Sequence, residues 1–199
     1  MNKLYLIVIT NAINISISNV KSEFGLGSLA PGNEISLFKA QYNTKGICLG
    51  KYNDKILIVS QEKVFYFYNA RISSFEKRIC ELFPNSEIAV LTLNSTVDLY
   101  GYAIMEKGVR KRIKSGADND VYIDYGTKIK EEDDIAREKI FDDGEVAEMK
   151  LEYSKKIIQK MIAQEVSIRV TYRLLTRYFG NDEKEIERNF DAIKLVEYQ

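Results

Sequence analysis

A chain of 199 residues with 29 basic and 29 acidic side chains has no global attraction for nucleic acid or an anionic membrane, so only local charge can recruit a partner. The absence of histidine excludes histidine triads, histidine-bearing zinc sites and imidazole proton shuttles. The length suits a single domain over residues 1–199 that buries roughly 70% of its unfolded surface without disulfides or structural metal. Cys48 and Cys80, neither in a CxxC pair, read as reduced, mostly buried thiols.

The opening Met-Asn-Lys and the apolar run Leu4–Ile9 imitate a signal peptide only in outline. The run is shorter than the roughly 7–15 residues such a region needs, and Thr10-Asn11 interrupts it. No stretch approaches the ~20 apolar residues of a membrane span, so cytoplasmic residence is expected. Leu4–Ile9 instead predicts a strand covered on both faces and central in its sheet. Between residues 11 and 45, Asn11, Asn14, Ser16, Ser18 and Asn19 alternate with Ile13, Ile15 and Ile17. Gly25, Gly27, Pro31 and Gly32 follow, which argues for irregular connections around a short strand or helix.

Ile47–Tyr52, Ile56–Ser60 and Val64–Tyr68, separated by turns at Asn53-Asp54 and Gln61-Glu62, predict an antiparallel meander. Ser73 then opens a helix with Glu76 placed as a capping box; Ile72, Phe75, Ile79 and Leu82 form its apolar stripe, and Pro84 stops it. Ile88–Leu93 is a second strand of the doubly covered kind.

Val97–Met105 and Val109–Lys114 both alternate, around Glu106-Lys107-Gly108. This predicts a hairpin with a three-residue loop and glycine in the left-handed position. In that register Val97, Leu99, Gly101, Ala103, Met105, Val109 and Ile113 face the core. The other face carries Asp98, Tyr100, Tyr102 and Ile104 beside Arg110, Arg112 and Lys114, with Arg112 opposite Tyr102, Arg110 opposite Ile104 and Lys114 opposite Tyr100. Val121–Tyr125 adds a strand.

From Gly144 the period becomes helical, through Val146, Met149, Tyr153, Ile157 and Met161, and a second helical stretch runs through Ile168, Tyr172 and Leu175 to Phe179. Gly180 suits a C-terminal cap, Asp182 with Glu185 suits a capping box for a helix to about Phe190, and Ile193–Tyr198 suits a last edge strand. Residues 1–125 are thus strand-rich and 130–190 helix-rich. The expected class is α+β, with a mainly antiparallel sheet, one internal helix and a C-terminal helical layer.

Lys3-Leu4-Tyr5-Leu6, the run Ser95-Thr96-Val97-Asp98-Leu99-Tyr100-Gly101-Tyr102-Ala103, Gly108-Val109-Arg110, and Tyr125-Gly126 followed by Glu131 together resemble an uncharacterised bacterial family, the domain of unknown function 6928. The resemblance implies a soluble bacterial protein and no catalytic residues.

The candidate binding residues are Tyr100, Tyr102, Arg110, Arg112 and Lys114. Arginine offers carboxylate or phosphate a planar fork, and tyrosine supplies rigid contact area. The competing structural role is a solvated face whose long side chains cover aromatic rings, with Glu131, Glu132, Asp133 and Asp134 available to fold back onto it. That acidic run lacks the spaced ligands and glycine of a calcium loop and reads as a helix start favoured by the macrodipole. Gly25-x-Gly27 lacks the rest of a dinucleotide fingerprint, there is no GxxxxGK[ST], and no serine sits in a GxSxG elbow. No cofactor or metal is implied. These readings favour a non-enzymatic interaction module that meets a protein partner with an acidic surface; nucleic acid and membrane are not expected. The alternative is a hydrolase or transferase that uses carboxylates, with or without a divalent cation.

Overall fold

The computed structural model describes residues 2–13, 15–43, 46–180 and 182–198. In chain order these form β1 (Lys3–Ile9), α1 (Ile17–Glu23), β2 (Glu34–Ser36), α2 (Leu37–Ala40), β3 (Ile47–Tyr52), β4 (Lys55–Val59), α3 (Gln61–Val64), α4 (Ser74–Leu82), β5 (Glu87–Asn94), β6 (Leu99–Glu106), β7 (Val109–Ala117), β8 (Asp120–Gly126), α5 (Lys130–Ile135), α6 (Asp143–Glu152), α7 (Lys155–Phe179), α8 (Glu183–Ala192) and β9 (Lys194–Tyr198). The strands join in one sheet, ordered β2-β9-β3-β4-β1-β5-β6-β7-β8, with every neighbouring pair antiparallel. The class is α+β, as the pattern of elements predicts.

β1 lies at the centre of the sheet, and Leu4–Ile9 is buried throughout. Its alternate side chains enter two separate cores. Leu4, Leu6 and Val8 pack with Leu91, Val170, Leu174 and Phe190 beneath α7 and α8. Tyr5, Ile7 and Ile9 pack with Val90, Val64, Phe75 and Ile79 beneath α3 and α4. The sheet is therefore a middle layer with helices on both faces. That is why its central strands read as unbroken apolar runs rather than alternating ones.

The helices before α5 exceed the single one expected, because serine caps start several short ones. The hydroxyls of Ser16, Ser36 and Ser60 accept the N–H groups of Asn19, Lys39 and Lys63, which satisfies a donor that the first turn leaves unpaired. Ser60 thereby converts the expected third meander strand, Val64–Tyr68, into α3 followed by a 3-10 turn over Phe65–Phe67. Val64 and Phe67 are fully buried while Phe65 is exposed, a three-residue spacing that no strand produces. At the C-terminal end, Ser154 caps α7, so the first expected helical stretch breaks at Tyr153 and its second half joins the second stretch in one helix. β9 is an interior strand between β2 and β3 rather than an edge. Within the segment 11–45, α1, β2 and α2 provide the structure; Asn14, Thr44 and Lys45 lie outside the described residues.

Candidate functional site

The hairpin of β6 and β7 closes in two residues, not three. Glu106 pairs with Val109, and Lys107 and Gly108 both have positive φ, 51° and 74°, the backbone of a type I′ turn whose twist matches that of the flanking strands. A turn of this length, carried on without interruption, would leave Arg110 and Arg112 on the same face. Instead the register shifts between Ile104 and Met105, which pair with Arg112 and Arg110, so that Lys111 is an extra residue in β7. Such a bulge re-aims the side chains that follow it. Arg110 and Arg112 consequently point into opposite layers of the molecule.

Arg110 faces α4. Its Nε donates to Glu76 Oε1 at 2.5 Å, its Nη2 donates to Glu76 Oε2, and its remaining N–H groups reach the carbonyls of Asn69, Ala70 and Arg71 at 2.8, 3.1 and 3.2 Å. Glu76 is thus held by Arg110, while Ser73 caps the helix through the Glu76 N–H. Arg112 faces α5. It grips Glu132 in a fork–fork pair of 2.7 and 2.8 Å and donates to Asp124 at 2.5 Å and to the Tyr125 carbonyl at 3.0 Å. Glu132 also accepts the Ile129 N–H at 3.1 Å. Burial pushes the Glu132 pKa up, but the bonds from Arg112 and Ile129 outweigh it and hold the carboxyl below its ordinary range.

The five expected binding residues therefore do not make one exposed patch. Tyr100 and Tyr102 are buried, lie over α7, and belong to the same core as Leu174. The Tyr102 hydroxyl is buried without a hydrogen-bond partner among the described residues; burial, with the Glu132 charge beside it, drives its pKa far above that of an ordinary phenol. Lys114 lies opposite Tyr102 with its ammonium 4.0 Å from Asp124, and burial lowers its pKa. Val97 and Val109, expected in the core, are half exposed. The Tyr/Arg face is covered because the amphipathic α7 needs a place for its own apolar stripe. Ile104, an apolar residue on the supposedly solvated face, was the signal in the sequence.

Of the acidic run, Glu132 folds back onto the sheet face, while Glu131 turns to α7 and Asp134 to a neighbour in the chain. Glu132 meets Arg112, Glu131 meets Arg177 at 3.4 Å, and Asp134 lies 3.8 Å from Arg137. Among the described residues no three His, Cys, Asp or Glu side chains come together as metal ligands. Cys48 is a buried free thiol; Cys80 is half-buried, and burial with the neighbouring Glu76 charge pushes its pKa up to about 11.

The bulge also delivers Lys111 to a cleft of about 840 Å³ between the hairpin, the 127–131 segment and the C-terminal end of α7. Five cationic side chains line it, Lys111, Lys128, Lys130, Arg173 and Arg177, against three acidic ones, Glu106, Glu131 and Asp134. Arg173 is paired with Glu138 at 2.7 Å, and Arg177 bridges Glu87 at 2.6 Å and Glu131. Lys111, Lys128 and Lys130 form no ion pair among the described residues. The sequence reading missed this cleft because its cations come from β7, the loop after β8, the start of α5 and α7, and only the fold brings them together.

Comparison with the models of known protein families, with curated proteins and with solved structures finds no match. Among the described residues no helix is long and apolar enough to cross a membrane.

Proposed function

We propose that this protein is a cytoplasmic, non-enzymatic binding module of the uncharacterised bacterial family that it resembles, and that it holds an acidic segment of a partner protein in the cleft of Lys111, Lys128 and Lys130. One observation carries the reading: three lysines converge on a concave surface without internal partners, whereas the arginines around them are committed to carboxylates. Five cations outnumber the three carboxylates of the cleft, and Glu131 and Asp134 are already drawn to Arg177 and Arg137, so an anion that meets the lysines gains what the fold leaves unused. Thr127, Thr176 and Ile129 add hydroxyl and apolar wall to the same cleft, features suited to a peptide rather than to a bare ion.

Fluorescence anisotropy with a labelled poly-glutamate peptide tests the reading. Wild-type protein is expected to bind it in a salt-sensitive way, and Lys128→Glu with Lys130→Glu to lose binding with an unchanged circular-dichroism spectrum. Equal affinity in wild type and variant would overturn the assignment.

A further inference from the structure

We infer that the acidic segment taken by this cleft is helix α6 of a second copy of the chain, an inference that rests on reading the cleft as a site for acidic peptide. α6 buries none of its side chains, which is unusual for a helix that gains most of its stability from packing. Residues 142–152 carry five carboxylates, Asp142, Asp143, Glu145, Glu148 and Glu152, against the single cation Lys150, a net charge of −4 on a molecule that is neutral as a whole. Glu145, Glu148 and Glu152 recur at three- and four-residue steps and so share one stripe. That stripe is turned away from Val146, which lies near Ile162 and Val166 of α7. Glu145 closes its own capping box on Asp142, but Glu148 and Glu152 have no ion pair among the described residues. Leu151, 87% exposed, flanks the stripe and offers apolar surface to the Ile129 wall of a cleft.

The placement of the two surfaces favours mutual contact. Ile162, Val166, Arg173 and Arg177 fall on one face of α7 at steps of four and seven residues, so α6 and the cleft lie along the same side of that helix. From Ile162 to Arg173 the helix rises about 16 Å, too far for α6 to enter its own cleft but suited to a two-fold arrangement. Each copy then places α6 in the other's cleft, and the assembly closes at two chains instead of growing into a filament.

Sedimentation equilibrium at about 50 and 500 mM NaCl, which spans a several-fold change in screening, tests the inference with the whole chain. At low salt the wild type is expected to show twice its 22.9 kDa mass, and at high salt the monomer mass. Lys128→Glu with Lys130→Glu, and separately Glu148→Lys with Glu152→Lys, are each expected to give monomers. An equimolar mixture of the two variants is expected to recover the dimer, since every cleft then meets a helix of opposite charge. A wild type that stays monomeric, a dimer that survives either variant, or a mixture that stays monomeric would overturn the inference. A monomeric wild type that still binds poly-glutamate through Lys128 and Lys130 leaves the cleft reading standing; loss of both results removes both.

Discussion

Arg110 and Arg112 stand two residues apart in β7 and serve different layers. On the α4 side, Arg110 holds Glu76 and three successive carbonyls of the 69–71 segment, fastening the loop that leads into α4. On the α5 side, Arg112 holds Glu132, Asp124 and the Tyr125 carbonyl, tying edge strand β8 and helix α5 to the sheet. One extra residue, Lys111, separates the two clamps and turns a charged strand into a fastener for both faces. The clamps differ in what remains when the carboxylate is removed. Arg110 keeps three backbone acceptors and Arg112 keeps Asp124 and the Tyr125 carbonyl, but loss of Glu132 also strands the buried Ile129 N–H and frees helix α5 from the sheet.

The largest effect should therefore come from Glu132→Ala, which breaks a pair whose members are 3% and 5% exposed and should cost about 3–5 kcal/mol in urea denaturation. Replacing both partners by apolar residues, Arg112→Met with Glu132→Leu, should cost less than the single change, because no charge is left buried. The same site sets an acid limit. Since the folded-state pKa of Glu132 lies below its unfolded value, its contribution is fully present above the ordinary carboxylate range and disappears as pH falls through the depressed folded value. Unfolding free energies measured from neutral to acid pH should show a decline that is shallower in Glu132→Gln. An unchanged slope would locate the acid sensitivity elsewhere.

On the other face, Glu76→Ala should cost less, about 1–3 kcal/mol for a buried group that loses one partner, because no backbone N–H is stranded with it. If its loss equals that of Glu132→Ala, the stranded Ile129 N–H adds nothing and the two clamps are equivalent. Next comes the turn that sets the register of both. Gly108→Val should cost on the order of 1–2 kcal/mol through its positive φ, since the added Cβ would meet only Cys80 Cβ at 3.8 Å.

The framework of this molecule is readable in its sequence where a single element decides the outcome. Leu4–Ile9 and Ile88–Leu93 announce doubly covered strands, Ser73 and Asp182 announce helix starts, and Pro84 marks an end; each depends on neighbours in the chain. The clamps depend on a one-residue insertion in β7, and no local preference distinguishes Lys111 as bulged from Lys111 as regular strand. A two-residue turn followed by a bulge shifts the pairing by two residues from that of a three-residue loop, so that Lys114 rather than Arg112 faces Tyr102; a shift of two preserves the faces, and alternation alone cannot separate the two. The fold-back of Glu132 onto Arg112 is visible as charge complementarity, but the direction of Arg110 is not. The cleft is less legible still, because Lys111, Lys128 and Arg177 come from three elements and neither periodicity nor motif relates them.

The smallest expected effect on folding is also the most informative about use. Lys128 and Lys130 are exposed and have no carboxylate partner among the described residues, so reversing both charges removes no internal bond and should change stability by less than about 0.5 kcal/mol. A thermal melt and a urea titration of Lys128→Glu with Lys130→Glu, run beside Glu132→Ala at about 500 mM NaCl, where the wild type is expected to be monomeric too, place the two basic systems on one scale. The arginine clamps should dominate stability, and the lysines should leave it untouched. If the lysine reversal instead destabilises the fold by an amount comparable to Glu76→Ala, the cleft is a structural element like the clamps, and a cluster of basic residues that the fold itself requires is not a surface held open for a partner.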